Sequence, residues 1–188
     1  MTAVRVAVLA SGGGTNLQAL LDALTNSPLA RVARVVTNRP GAGAVERARA
    51  RGIPTTVLRG PDDAAELLAA LGDAELVVLA GYLKRIPASV VARFRGRMIN
   101  IHPALLPDFG GPGMYGHHVH EAVLASGARE SGVTVHFVDE AFDRGAIIAQ
   151  ERVPVAPGDT PETLAARVLE VEHRLLPKVV LDLAKRIR

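Results

Sequence analysis

"VRVAVLASGGGTNLQALLDALT", residues 4–25, decides the fold. Residues 4–10 are apolar almost throughout, as a strand covered on both faces requires. Three glycines follow, and a helical pattern then runs from about Asn16 to Thr25. Strand, glycine loop and helix in that order make the first unit of a parallel α/β sheet. The unit recurs. Strands at 31–37, 54–58, 75–81 and 97–102 alternate with helices at 43–52, 62–71 and 87–94, Pro61 and Asp62 opening the second of these. The expected fold is α/β: an open, mostly parallel, twisted sheet with helices on both faces, Rossmann-like in outline.

After His102 the texture changes. "PALLPDFGGPGMYGHH" (103–118) is rich in Pro and Gly and too long for an ordinary connection, which marks a functional loop. A helix is expected over 120–127. Residues 132–138 and 146–155 alternate like partly exposed strands around a turn at 139–145, an antiparallel addition to the sheet. Residues 160–187 read as helix, with Thr160 as N-cap and Pro161 at the first helical position. Thr163 is not expected to complete a capping box, and Pro177 is expected to kink or split the helix. Neither a repeat nor a linker divides the chain, so 1–188 is expected to be one domain.

The 188 residues are 48% hydrophobic and 22% charged, enough to build a core. Aromatics make up 3% with no Trp, which speaks against a stacking platform for nucleic acid. The net charge of +3 comes from Arg spread along the chain, so no basic block marks a nucleic-acid footprint. Cys is absent, which excludes disulfides and a thiol nucleophile and suits the cytoplasm. No segment reads as a signal peptide or a membrane span.

"LASGGGTN" (9–16) can bring backbone N–H groups close to an anion at a helix N-terminus. The dinucleotide pattern fails because Leu17 stands where a glycine is needed, and the P-loop fails because no Lys follows. A loop shaped for one phosphate remains, with Thr15 and Asn16 adding side-chain bonds; a tight turn without ligand is the plain alternative. At the end of the fifth strand, "INIHPALLP" (99–107) puts Asn100 and His102 on the same side and locks the exit with Pro103. An amide and an imidazole there can stabilise a developing oxyanion. A carboxylate beside His102 would raise its pKa, and Asp139, Glu140 and Asp143 are equal candidates on periodicity alone. "HHVHE" (117–121) lacks metal-ligand spacing, since His117, His118 and His120 do not share a helical face. His136 enters only as a conceivable fourth ligand there.

Five stretches, in order, resemble the glycinamide ribonucleotide formyltransferases, folate enzymes of purine biosynthesis. They are "LASGGGTNLQALLDA" (9–23), "LAGYLKRI" (79–86), "INIHPALLP" (99–107), "GVTVHFVDEAFDRGAIIAQERVPV" (132–155) and "ARVLEVEHRLLP" (166–177). The resemblance implies formyl transfer from 10-formyltetrahydrofolate to the amine of glycinamide ribonucleotide, with no metal, nucleic acid or membrane involved, by a monomer or homodimer. It implies that Asn100, protonated His102 and Asp143 are catalytic, which selects Asp143 among the three acids. It implies that Gly14, Thr15 and Asn16 cradle the substrate phosphate and that Glu172 holds the glycinamide end. It also implies a pterin pocket from Leu83, Lys84, Arg85 and Ile86 with Asp139, Glu140, Ala141 and Phe142. Arg59 is the nearest candidate for the folate tail. The chain departs from the family in pairing Lys84 with Arg85, where one Arg followed by apolar residues is usual, and in a longer, glycine-rich 108–120 loop. Formyltetrahydrofolate hydrolases and other folate formyltransferases share this pattern; they usually carry an extra domain, which is not expected here. A non-catalytic nucleotide- or folate-binding module would not need all three of Asn100, His102 and Asp143.

Overall fold

The structure is a computed structural model and describes residues 2–188. Seven strands form one sheet in the order β3-β2-β1-β4-β5-β6-β7. Strands β1 (Val4–Leu9), β2 (Ala30–Thr37), β3 (Thr55–Val57), β4 (Leu76–Leu79) and β5 (Met98–His102) pair in parallel. β6 (Glu130–Phe137) and β7 (Ile147–Pro154) add antiparallel. The strand order reverses between β1 and β4, so a crevice opens there at the carboxyl ends, where open α/β sheets take ligands.

Side-chain alternation along β1 builds two cores. Val4, Val6 and Val8 pack with α1 (Thr15–Leu24), α2 (Gly43–Ala50), α5 (His117–Ala125) and α6 (Pro161–Ile187). Ala7 and Leu9 face the other way, toward α3 (Ala64–Leu71) and α4 (Ala88–Arg93). Leu9, Leu17, Leu20, Leu67 and Leu176 are fully buried, each contributing about 1.5–3 kcal/mol relative to exposure.

Four expectations need correction. α5 begins at His117, so His117 and His118 belong to the helix and not to the loop before it. β6 is buried over Ser131–His136, because α6 covers it and Leu105 packs on Gly132, and it starts two residues earlier than the alternation predicts. Thr163 does complete a capping box. Its hydroxyl accepts from the Thr160 N–H at 2.9 Å, the job Glu or Gln does in the usual sequence pattern, and the Thr160 hydroxyl accepts from the Thr163 N–H at 3.3 Å. Pro177 does not split α6, which runs 27 residues through it. That proline is buried with Leu175, Leu176, Val179 and Val180, and this packing holds the helix together across the missing N–H.

Candidate active site

A cavity of about 620 Å³ lies at the carboxyl ends of β4 and β5. Its floor is the end of β5. Asn100 and His102 both line it, as the period of two requires, and His102 is only 3% exposed. β6 brings His136 directly opposite Asn100 in the antiparallel register. The turn after β6 then delivers Asp143 to the same point, through a left-handed backbone (φ 54°) that a non-glycine residue adopts only at a cost.

Hydrogen bonds set the state of these groups. His102 Nε2 donates to the Phe109 carbonyl at 2.8 Å, which leaves Nδ1 bare in the neutral ring, 3.7 Å from Asp143 Oδ2. His136 Nδ1 donates to the Phe137 carbonyl at 2.8 Å, so Nε2 accepts from Asn100 Nδ2 at 3.1 Å. The other Asn100 amide hydrogen has only a long 3.5 Å contact to Asp143 Oδ1. Asp143 Oδ2 accepts the Gly111 N–H at 2.9 Å, which ties the turn to the glycine-rich loop. Phe109, next to that tie, is also left-handed (φ 55°).

Burial pushes the Asp143 carboxyl up, but its contact with His136 and the Gly111 N–H that it accepts outweigh this, and the group sits below its usual value. His102 departs from expectation. Burial lowers its pKa, and the upward pull of Asp143 and the Phe109 carbonyl does not compensate. The neutral ring is therefore the resting form at neutral pH.

The glycine loop lies beside the far end of the cavity and reaches it through Asn16. α1 starts from Gly14 with no side-chain cap, so its first N–H groups stay available. Asn16 lines the cavity and its Nδ2 donates to Glu172 Oε2 at 3.0 Å. Glu172 projects from α6 and is 7% exposed; burial pushes its carboxyl up to about 7, against the pull of Asn16. Gly14 and Thr15 sit just outside the cavity lining, in the loop itself.

The third wall follows β4. Leu83, Lys84, Arg85 and Ile86 all line the cavity. Asp139, Glu140, Ala141 and Phe142 face them from the turn after β6. Arg85 joins the two segments by donating to the Glu140 carbonyl at 2.9 Å. Arg59 is not brought here. Its guanidinium is almost fully exposed, and its nearest partner is Glu66 at 3.7 Å. Among the described residues no group of three or more His, Cys, Asp and Glu is placed to hold a metal ion.

Sequence reasoning missed the roles of two residues. His136 orients Asn100; its signal is a polar residue at the period-two position after Thr134, in an otherwise apolar strand. Ser11, 1% exposed, joins two walls: its hydroxyl donates to Asn38 Oδ1 at 2.6 Å and accepts the Leu83 N–H at 3.0 Å. No periodicity reveals it.

Residues 4–180 match the family model described as formyl transferase. The chain belongs to the formyl transferase family. Among relatives, it is 47% identical to the chloroplastic phosphoribosylglycinamide formyltransferase of Arabidopsis thaliana, over 94% of this chain and 64% of that protein. It is 38% identical to the phosphoribosylglycinamide formyltransferase of Haemophilus influenzae, over 94% of this chain and 85% of that one. Among solved structures, the phosphoribosylglycinamide formyltransferase of Anaplasma phagocytophilum superposes with a TM-score of 0.91 at 37% identity, over 98% of this chain and 89% of that one. This family member thus spans less than two thirds of the plant protein's length.

Proposed function

We propose that this chain transfers the formyl group of 10-formyltetrahydrofolate to the amine of glycinamide ribonucleotide, giving the formylated nucleotide and tetrahydrofolate. One observation carries the reading: an amide, a buried imidazole and a carboxylate meet at one end of a cavity that the glycine loop reaches through Asn16 on one side and the segments 83–86 and 139–142 line on the other. Gly14, Thr15 and Asn16 take the phosphate, Glu172 the glycinamide end, and the segments 83–86 and 139–142 the pterin. Arg59 has no part in this arrangement.

The nucleotide's amine attacks the formyl carbon, a C–N bond forms, and the carbonyl pair moves onto oxygen. The weakly held Asn100 amide hydrogen turns to that oxyanion. His102 Nδ1 takes the proton released by the amine, and Asp143 stabilises the imidazolium for as long as it exists. Collapse of the oxyanion breaks the bond to the folate nitrogen, which receives the proton from His102. His102 is thus neutral before the reaction and charged during it, a cycle that its burial beside a carboxylate allows.

Within this proposal the whole of 1–188 acts as one domain, in the cytoplasm, as a monomer or homodimer, and no step uses a metal. No described helix is long and apolar enough to cross a membrane. The test is absorbance-followed turnover of 10-formyltetrahydrofolate with and without glycinamide ribonucleotide, in a chelator. Turnover only with the nucleotide is the expected result. Equal turnover without it would make water the acceptor and the chain a hydrolase. Ligand binding with no turnover would make it a binding module.

A further inference from the structure

The glycine loop does not hold its own shape; α2 holds it. The Gly12 carbonyl accepts the Ala44 N–H at 3.2 Å, one of the spare donors of the first turn of α2. The Gly13 carbonyl accepts from Arg47 Nε at 2.8 Å, and Arg47 Nη1 donates to Gln18 Oε1 at 3.2 Å on α1. Contact is close enough to exclude side chains: a Cβ on Gly14 would fall 2.7 Å from Ala44 Cα, and one on Gly43 would fall 2.9 Å from the Gly13 carbonyl oxygen.

A trans peptide points its C=O and the following N–H in opposite directions. Drawing the Gly12 and Gly13 carbonyls toward α2 therefore turns the Gly13 and Gly14 N–H groups away from it. Neither has a backbone partner among the described residues. We infer that Arg47 is a positioning residue: by gripping the Gly13 carbonyl it fixes the peptide orientation that aims the loop's N–H groups at the phosphate of the nucleotide. This rests on the phosphate reading of the loop given above, and assigns the geometry of that loop to a side chain outside it.

The test is an inorganic phosphate titration of the ¹⁵N-labelled chain, following the Gly13, Gly14 and Thr15 amides in the wild type, R47A, R47M and R47K. Saturable shifts are expected in the wild type. Phosphate affinity should fall about tenfold in R47A and R47M, as when a charge-assisted hydrogen bond of about 1.4 kcal/mol is lost. R47K, which keeps a donor, should recover most of it. The loss should persist at high salt, because positioning is not screened as a remote charge is. In the transfer assay the same variants should raise KM for the nucleotide well above any change in KM for the folate. Unchanged affinity in R47A and R47M, a loss that vanishes in high salt, or no shift in the wild type would each overturn the inference. A chain that binds phosphate through this loop yet transfers no formyl group would overturn only the functional proposal.

Discussion

Backbone makes the glycine loop on one side of the cavity: two carbonyls drawn onto α2, N–H groups turned to the other side, and a glycine where a Cβ would strike α2. Across the cavity, the Asn100, His102 and Asp143 end is made of side chains. They come from one strand and a turn, and His136 joins them from the antiparallel neighbour, with left-handed backbone at Phe109 and Asp143. The first side has no titrating group in its loop. The second stores strain and unmatched polarity, as groups that must change charge during a reaction require. Damage to the first should appear in nucleotide affinity and stability, and damage to the second in turnover and its pH dependence.

The largest effect should come from His102→Ala, which removes both the proton acceptor and the charge that faces the oxyanion. A loss on the order of 10²–10⁴ in kcat/KM is expected, with nucleotide binding retained. Near-normal turnover would remove His102 from the mechanism. Asp143→Asn should cost less, roughly 10²-fold. Its charge pulls the His102 pKa up, so its removal lets burial act with less opposition and lowers that pKa further. The active form being the neutral ring, the acidic limb of the kcat/KM profile should move to lower pH; a limb that stays put would break the link between the two residues.

On the other wall, Gly14→Ala forces a left-handed side chain (φ 73°) against the backbone of Ala44. About 3 kcal/mol of stability should go, and KM for the nucleotide should rise more than kcat falls. A melt and a steady-state series measure both, and an unchanged nucleotide KM would separate the loop from the phosphate. Glu172→Gln should have the smallest effect and an opposite dependence on pH. The folded carboxyl keeps its proton up to about 7, whereas the unfolded one loses it near 4.3. Stability present below the unfolded value is therefore lost as pH rises through about 7. The wild type should lose stability relative to the Gln variant across that window, read as diverging melting temperatures. Parallel curves would mean that Glu172 is ionised throughout.

Legibility in the sequence divides along the same line. The parallel half was readable because β1, β4 and β5 are buried along almost their whole length, so each appears as a largely apolar run with glycine or proline soon after its exit; β2, with Arg31 and Arg34, and the mostly exposed β3 were placed by their alternation with helices. The glycine loop and the Asn100, His102 pair follow from those strands, since both lie at their carboxyl ends. The antiparallel half was less readable. β6 looked half-exposed because Thr134 and His136 are polar, although both are buried and hydrogen-bonded in place: Thr134 donates to the Ala104 carbonyl at 2.6 Å, and His136 meets Asn100. The choice of Asp143 among three acids needed family resemblance, because pairing across β5 and β6 sets it and no local period does. The direction of the His102 pKa was not legible for a related reason: a sequence shows which charges are near, but not how much water is excluded. The start of α5 was missed because the glycines up to Gly116 hide a helix whose first residues are histidines.

The bond from Asn16 to Glu172 joins residues 156 positions apart. Contacts of that separation form late, because most of the chain must already be placed before they gain anything. During synthesis the glycine loop and its helix leave the ribosome long before α6 does. Until Glu172 emerges, the wall it shares with Asn16 is incomplete, and the growing chain can present a bare loop but not the finished cavity. The cavity is therefore closed on that side only once α6 has been made as far as Glu172, near the middle of that helix.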